Sequence, residues 1–290
     1  MACCPKSIIA DILKAREDKG GIVNVYYVAC GGSYAGLHPG KYFLQSEAKK
    51  VTVDHYTANE FCHATPKALG PNSIVITQSH SGTTPETVKA AEIAQKAGAA
   101  SVVITFDDQS PLAKNGDYVL KYEAKAPADM SGMAFGLKLA VEILNQVEGY
   151  ENYDEMMNGF DRIDGIVKHA KEFLTPRAKV FAEEYKDEKL IYMMGSGANY
   201  NVAYSFAICL LMEMQWVNSS AIHSGEYFHG PFEITDRETP FIILMSEGRT
   251  RPLDQRALDF LNRFAEKVIV LDAKELGLET IDDKVSEFFN

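Results

Sequence analysis

Tyr27-Val28-Ala29-Cys30-Gly31-Gly32-Ser33 closes a β-branched and aromatic run over residues 23–29 and breaks it abruptly at two glycines. That is the signature of a strand running into a glycine loop. A helical stretch follows from about 34 to 48. The same succession returns in Tyr192-Met193-Met194-Gly195-Ser196-Gly197-Ala198, followed by a helical stretch over 198–214, at an offset of about 165 residues. Further on the offset barely changes: a strand at 241–244, a loop at 245–250 and a helix at 252–265 match the segment 73–98. The spacing predicts two related α/β halves.

Outward from the first loop, residues 5–18 form an amphipathic helical pattern. Strands are expected at 51–54, 73–77, 101–106 and 117–122, with helices at 57–64 and 86–98. Pro85 suits the first helical turn and Gly98 a helix stop. Strands that alternate with helices predict a parallel, doubly wound sheet in a three-layer αβα arrangement. Residues 129–147 and 151–186 read as helices, broken near Gly149 and again at Thr175-Pro176. The expected organisation is a first half over 1–125, a helical connector over 126–188 and a second half over 189–290.

A chain of 290 residues with 46% hydrophobic and 24% charged side chains can bury a sizeable core. Its 40 acidic against 29 basic groups give a net charge of −11, which disfavours nucleic acid and anionic membrane as partners. No run approaches the roughly 18 apolar residues of a membrane span, and Met1-Ala2-Cys3-Cys4-Pro5 lacks the basic-then-apolar pattern of a signal peptide. A cytoplasmic protein is expected. Cys3, Cys4, Cys30, Cys62 and Cys209 show no zinc spacing and read as reduced thiols. The scattered Met and Phe residues read as core filling, with no cofactor box.

An anion would need a local, preorganised cradle in so acidic a chain. Ser33 in the first glycine loop, and Ser79, Ser81 and Thr84 in Gln78-Ser79-His80-Ser81-Gly82-Thr83-Thr84-Pro85, supply one. Helix starts offer unpaired N–H groups, glycine lets backbone approach closely, and hydroxyls donate without adding charge. Any one such loop is equally well read as helix capping; two at neighbouring strand ends favour phosphate. His80 lies inside the second loop, where it would touch an anion or a sugar hydroxyl, or simply pack. The corresponding loops of the second half hold Ser196, Ala198, Glu247, Gly248 and Arg249, so one phosphate is expected per chain.

The second half carries candidate acid–base groups instead. Glu213 ends the apolar run Ile208-Cys209-Leu210-Leu211-Met212-Glu213-Met214, and His223-Ser224-Gly225-Glu226-Tyr227-Phe228-His229-Gly230-Pro231-Phe232-Glu233 is dense in titratable side chains. A carboxyl group embedded among Leu211, Met212, Met214 and Trp216 would have a raised pKa suited to proton transfer near neutral pH. Pairing with an Arg or a backbone donor is the structural alternative. His223, Glu226 and His229 are spaced by threes, yet Gly230 and Pro231 interrupt any long helix there, so no metal is expected.

These motifs resemble the sugar isomerase (SIS) domain family in its double-domain form, as in the isomerase half of glucosamine–fructose-6-phosphate aminotransferase. Ala29-Cys30-Gly31-Gly32-Ser33-Tyr34 is similar to the family's first phosphate loop and Ser79-His80-Ser81-Gly82-Thr83-Thr84 to its second, where the aminotransferase has glutamine at the position of His80. Gly225-Glu226-Tyr227-Phe228-His229-Gly230-Pro231 resembles the Gly-Glu-x-x-His-Gly-Pro signature, and Glu213 matches the proton-transferring carboxylate. Within the family the chain looks most like fructosamine 6-phosphate deglycases. Cys3 and Cys4 lead straight into a helix, so glutamine-dependent amination is not expected; relatives continue past the position of Asn290 with a helix and a basic, aromatic tail.

The resemblance implies an enzyme that cleaves a 6-phosphorylated Amadori sugar-amine to glucose 6-phosphate and a free amine, with no metal or organic cofactor. His229 would assist ring opening and Glu213 would move the proton between C1 and C2. Ser33, Ser79, Ser81 and Thr84 would hold the phosphate, with Gly32, His80 and Glu226 as further substrate contacts. The alternatives are an aldose–ketose phosphosugar isomerase and a sugar-phosphate sensor; no helix-turn-helix segment accompanies the halves, which disfavours the second. A homodimer or larger homo-oligomer is expected, in which His229 would serve a neighbouring subunit's site.

Overall fold

The computed structural model describes residues 4–290; the readings that rest on Met1, Ala2 and Cys3, including a thiol at Cys3 and the absent signal peptide, lie outside the described residues. The chain forms two compact units, residues 1–153 and 154–290.

In the first unit α1 (Pro5–Lys14) precedes β1 (Asn24–Ala29), α2 (Gly31–Glu47), β2 (Thr52–Thr57), α3 (Ala58–His63), β3 (Ser73–Ser79), α4 (Pro85–Lys96), β4 (Ala100–Thr105), β5 (Tyr118–Lys121) and α5 (Gly132–Val147). The sheet order is β2-β1-β3-β4-β5 and every pairing is parallel. Strand periodicity divides the β1 side chains between two faces. Tyr26 and Val28 pack with Phe61, Val75, Ala90 and Ala94 under α3 and α4, while Tyr27 on the opposite face donates its hydroxyl hydrogen bond to the Gly136 carbonyl of α5 at 3.3 Å. Helices α2 and α5 pack closely, and glycine permits it: a Cβ on Gly40 would lie 2.5 Å from the Gly136 carbonyl oxygen. That contact fixes α2, whose first turn carries Ser33.

The second unit runs α6 (Tyr153–Tyr185, its first residue in the first unit), β6 (Leu190–Gly195), α7 (Asn199–Ser205), a π-helical segment (Phe206–Met214), β7 (Asn218–His223), β8 (Phe241–Met245), α8 (Arg251–Phe264) and β9 (Val268–Asp272). Its all-parallel order, β7-β6-β8-β9, repeats the first four positions of the other sheet. Met194, Phe241, Ile243 and Met245 face α8 through Ala257 and Leu261. Ile191, Met193, Ile242 and Leu244 face Ala203, Ala207 and Leu211 on the other side, with Phe181 and Tyr185 of α6 beside them.

Two local expectations change. The helix does not break at Thr175-Pro176: α6 continues through Pro176. The missing proline N–H leaves the Glu172 carbonyl without its helical donor, but on an exposed turn, and Thr175 donates its hydroxyl to Lys171 O at 2.6 Å. The helix expected over 198–214 is α-helical only to Ser205 and then widens into the π segment. Helix α5 packs against α1 and α2, and α6 from Asp154 onward lies in the second unit. Among the described residues no helix is long and apolar enough to cross a membrane.

Candidate phosphate-binding and acid–base sites

In a sheet ordered 2-1-3-4-5 the chain leaves β1 toward one edge and β3 toward the other, so the connections diverge at the carboxyl ends of β1 and β3 and open a crevice there. Ala29 pairs with Gln78, so the loops that follow the two strands start side by side. Both candidate phosphate loops therefore leave this one crevice, each entering a helix: α2 begins at Gly31 and α4 at Pro85. Two helix N-termini, each worth roughly half a positive charge, thus stand at neighbouring strand ends in an acidic chain.

Ser33 lies in the first turn of α2, half-buried, beside the exposed Gly32. Ser79 ends β3 and is buried; its Oγ accepts the Gly82 N–H at 3.1 Å and lies 3.0 Å from Thr84 Oγ1. Ser81 is exposed, accepts the Thr83 N–H at 3.3 Å and pairs with Thr83 Oγ1 at 2.8 Å. Each hydroxyl pair holds two protons and uses one internally, which leaves one donor per pair for a ligand oxygen. Thr84 occupies the position just before α4 without capping it through its side chain, so its hydroxyl serves the loop. Replacing Ser81 with Ala is expected to weaken binding of a hexose 6-phosphate by about 1–3 kcal/mol, the range for hydrogen bonds to a charged group. Titration calorimetry reads it directly, and unchanged affinity would remove Ser81 from the cradle.

Two neighbours of this loop escape sequence reading. Gln78 is buried at the end of β3 and its Oε1 has no hydrogen-bond partner among the described residues, an unsatisfied acceptor one residue before Ser79. Tyr122, just past β5, meets His80 Nδ1 with its hydroxyl at 3.0 Å. Neither has a local motif, since strand order alone brings 78–80 and 122 together.

The second unit has the same switch point, between β6 and β8, and there the chain fills it with its own groups. The Glu247 N–H donates to Asn290 Oδ1 at 2.7 Å, and the Asn290 amide donates back to the Glu247 carbonyl at 3.0 Å. Arg249 gives its backbone N–H to Glu287 Oε2 at 2.9 Å and its Nε to Oε1 at 2.6 Å. Glu287, 5% exposed, thus sets an internal carboxylate on the loop that corresponds to the second candidate phosphate loop of the first unit. Asp254 accepts from the Ser246 N–H and hydroxyl. Arg251 makes a bidentate pair with Asp272 at 2.9 and 2.6 Å. Burial works upward on the Asp272 carboxyl, but the Arg251 guanidinium and the Lys274 N–H hold it below the usual range.

Glu213 is the penultimate residue of the π segment, and here the expectation of an embedded carboxyl fails: Glu213 is exposed. So are the apolar residues around it, with Met214 65% and Trp216 90% exposed; only Leu211 turns into the core. The apolar composition of the run predicts burial, whereas the segment packs on the sheet through Phe206, Ala207 and Leu211 and leaves Leu210, Met212 and Met214 exposed. The Glu213 carboxylate has no hydrogen bond or ion pair among the described residues. The chain then turns at Trp216 with φ +58°, a left-handed conformation that costs a bulky residue about 1–2 kcal/mol. A π segment and a residue with positive φ thus flank this one candidate carboxylate.

His223 ends β7, and residues 224–230 form consecutive turns, in which the Glu226 N–H donates to His223 O at 2.8 Å and the His229 N–H to Glu226 O at 2.9 Å. Glu226 and His229 are both exposed. The turns are anchored by the buried ring of Tyr227, whose hydroxyl pairs with Thr235 at 2.5 Å. Among the described residues no group of His, Cys, Asp and Glu side chains is arranged to hold a metal ion.

Comparison with known proteins bears on both units. The SIS domain profile matches residues 23–146 and 184–277. Fructosamine deglycase FrlB of Bacillus subtilis (strain 168) is 44% identical over 269 residues, covering 92% of this chain and 82% of that protein. Fructoselysine 6-phosphate deglycase of Escherichia coli (strain K12) is 26% identical over 271 residues, covering 93% and 78%. A crystal structure from Salmonella typhimurium LT2 superposes with a TM-score of 0.94 at 47% identity, covering 98% of this chain and 87% of that one.

Proposed function

Because the chain belongs to the SIS domain family, we propose that it is a fructosamine 6-phosphate deglycase, an enzyme that cleaves a 6-phosphorylated Amadori sugar-amine with water into glucose 6-phosphate and a free amine. The observation that carries this reading is the similarity to the Bacillus subtilis fructosamine deglycase along nearly the whole chain. The loops at the β1/β3 switch point, with their two unspent hydroxyl protons and two helix N-termini, support a role for Ser33, Ser79, Ser81 and Thr84 in holding the phosphate.

The chemistry is a proton transfer followed by hydrolysis. In the open-chain substrate, whose ring His229 helps to open, Glu213 takes a proton from C1 while the C2 oxygen gains one, giving the enaminol. Return of a proton to C2 leaves a C1–nitrogen double bond. Water adds at C1, the carbon–nitrogen bond breaks and the amine departs with a proton, leaving the aldose phosphate. An isomerase would use the same transfer without losing amine.

The exposed apolar run Leu210, Met212, Met214 and Trp216 supports assembly as a homo-oligomer. The four described cysteines are free thiols, which supports a cytoplasmic site of action. The test is incubation with fructoselysine 6-phosphate, glucoselysine 6-phosphate and fructose 6-phosphate, with free amine and aldose phosphate followed separately. Amine release from the first is expected, and interconversion of the hexose phosphates without it would favour the isomerase.

A further inference from the structure

Three adjacent strands of the first unit deliver one aromatic group each to the second phosphate loop: His80 after β3, Phe106 after β4 and Tyr122 after β5. The His80 ring stacks on Phe106 at 5.1 Å and 28°. Its Nδ1 lies 3.0 Å from the Tyr122 hydroxyl. Backbone bonds hold all three in place, with Phe106 N–H on His80 O at 3.2 Å and Tyr122 N–H on Thr105 O at 3.1 Å. The imidazole itself is exposed, between Ser79 and Ser81.

A neutral imidazole has one N–H and one bare nitrogen, and the hydrogen bond made by one nitrogen sets the state of the other. A phenol donates more strongly than it accepts, and burial holds the Tyr122 hydroxyl above its ordinary range, so it keeps its proton. We propose that Tyr122 is a positioning residue: its hydroxyl donates to His80 Nδ1 and so fixes Nε2–H as a donor to the substrate phosphate. This deepens the deglycase reading and rests on it for the identity of the ligand. The device gives the loop a further aimed N–H, with the ring orientation set in advance by Phe106 and Tyr122.

The experiment uses the full chain labelled with ¹⁵N-histidine. Long-range ¹H–¹⁵N spectra at about pH 8, above the imidazole range, are assigned for His80 by its loss in His80→Gln. A bare Nδ1 and a protonated Nε2 are expected. Tyr122→Phe keeps the ring and its packing; it should mix the two tautomers and raise the Kd for glucose 6-phosphate about three- to tenfold, the loss of roughly one hydrogen bond, with kcat little changed. Combined with His80→Gln it should add nothing further. A protonated Nδ1 in the parent chain overturns the proposal, as does a Tyr122→Phe chain with unaltered tautomer and Kd. Should that variant fail to fold, the spectrum of the parent chain decides. The tautomer is read without substrate, so a chain with the expected spectrum that released no amine would overturn the deglycase reading and leave this one standing.

Discussion

Glu213→Gln is expected to lower turnover of a fructosamine 6-phosphate by about 100-fold or more, the range for loss of general acid–base catalysis. The substitution keeps the shape of the side chain and removes only its capacity to take and return a proton. Because Glu213 lies outside the hydroxyl loops of the first unit, KM and the affinity for glucose 6-phosphate should stay near those of the parent chain, which places the loss in the transition state. Nearly full turnover in a folded, oligomeric sample would dismiss Glu213, and Glu226 would be the carboxylate to test. His229→Asn should also slow turnover, but less for an analogue held in open-chain form. Mixing Glu213→Gln with His229→Ala chains extends the test to assembly. Hybrid oligomers should regain activity where a site draws the two residues from different subunits; no recovery despite proven exchange would assign both to one chain.

The second large effect is structural. Gly82 sits in the middle of the second phosphate loop with φ +65°, and a Cβ there would lie 2.1 Å from Ser110 Oγ and 2.3 Å from Ser110 Cβ. Both a left-handed backbone and a close approach therefore demand glycine. Gly82→Ala is expected to cost about 2–5 kcal/mol of stability, combining roughly 1–2 kcal/mol of backbone strain with 1–3 kcal/mol of overpacking. The loop would relax by moving away from Ser110, which breaks the Gly82 N–H bond to Ser79 and the Leu112 N–H bond to the Gly82 carbonyl. Binding of glucose 6-phosphate should then fall further than in Ser81→Ala. Urea unfolding and calorimetry measure the two losses, and a variant unchanged in both would show that the loop does not depend on this turn.

Much of the fold is legible because its signals are local. The β-branched run before Gly31-Gly32, its echo at Met193 and Met194, and Pro85 at a helix start each announce an element within a few residues. The echo at constant offset even implies the second sheet, whose strand order matches the first. Edge strands are harder: β7 is the polar Asn218-Ser219-Ser220-Ala221-Ile222-His223, with no periodicity that separates it from a loop. The hydroxyl loops are legible for the same local reason.

The environment of the candidate carboxylate Glu213 is not legible in the sequence. Apolar neighbours along the chain do not bury Glu213, because burial is set by what packs across from a segment, and the π turn carries Met212, Met214 and Trp216 outward together. Nor does the sequence reveal what occupies the corresponding loops of the second unit. The different residues at 196–198 and 247–249 are visible, but Glu287 and Asn290, which hydrogen-bond to the second of these loops, lie some forty residues on and carry no motif. The Tyr122–His80 pair is hidden likewise, since 42 residues separate its members.

The central claim is that this chain releases an amine from a sugar it grips by its phosphate. The most direct measurement follows free lysine and glucose 6-phosphate together in one reaction of the intact protein, with fructoselysine 6-phosphate and, separately, with unphosphorylated fructoselysine. Equimolar lysine and glucose 6-phosphate from the phosphorylated substrate, with little release from the other, is the expected result. Equal release from both sugars, or loss of substrate to another hexose phosphate without lysine, would contradict it.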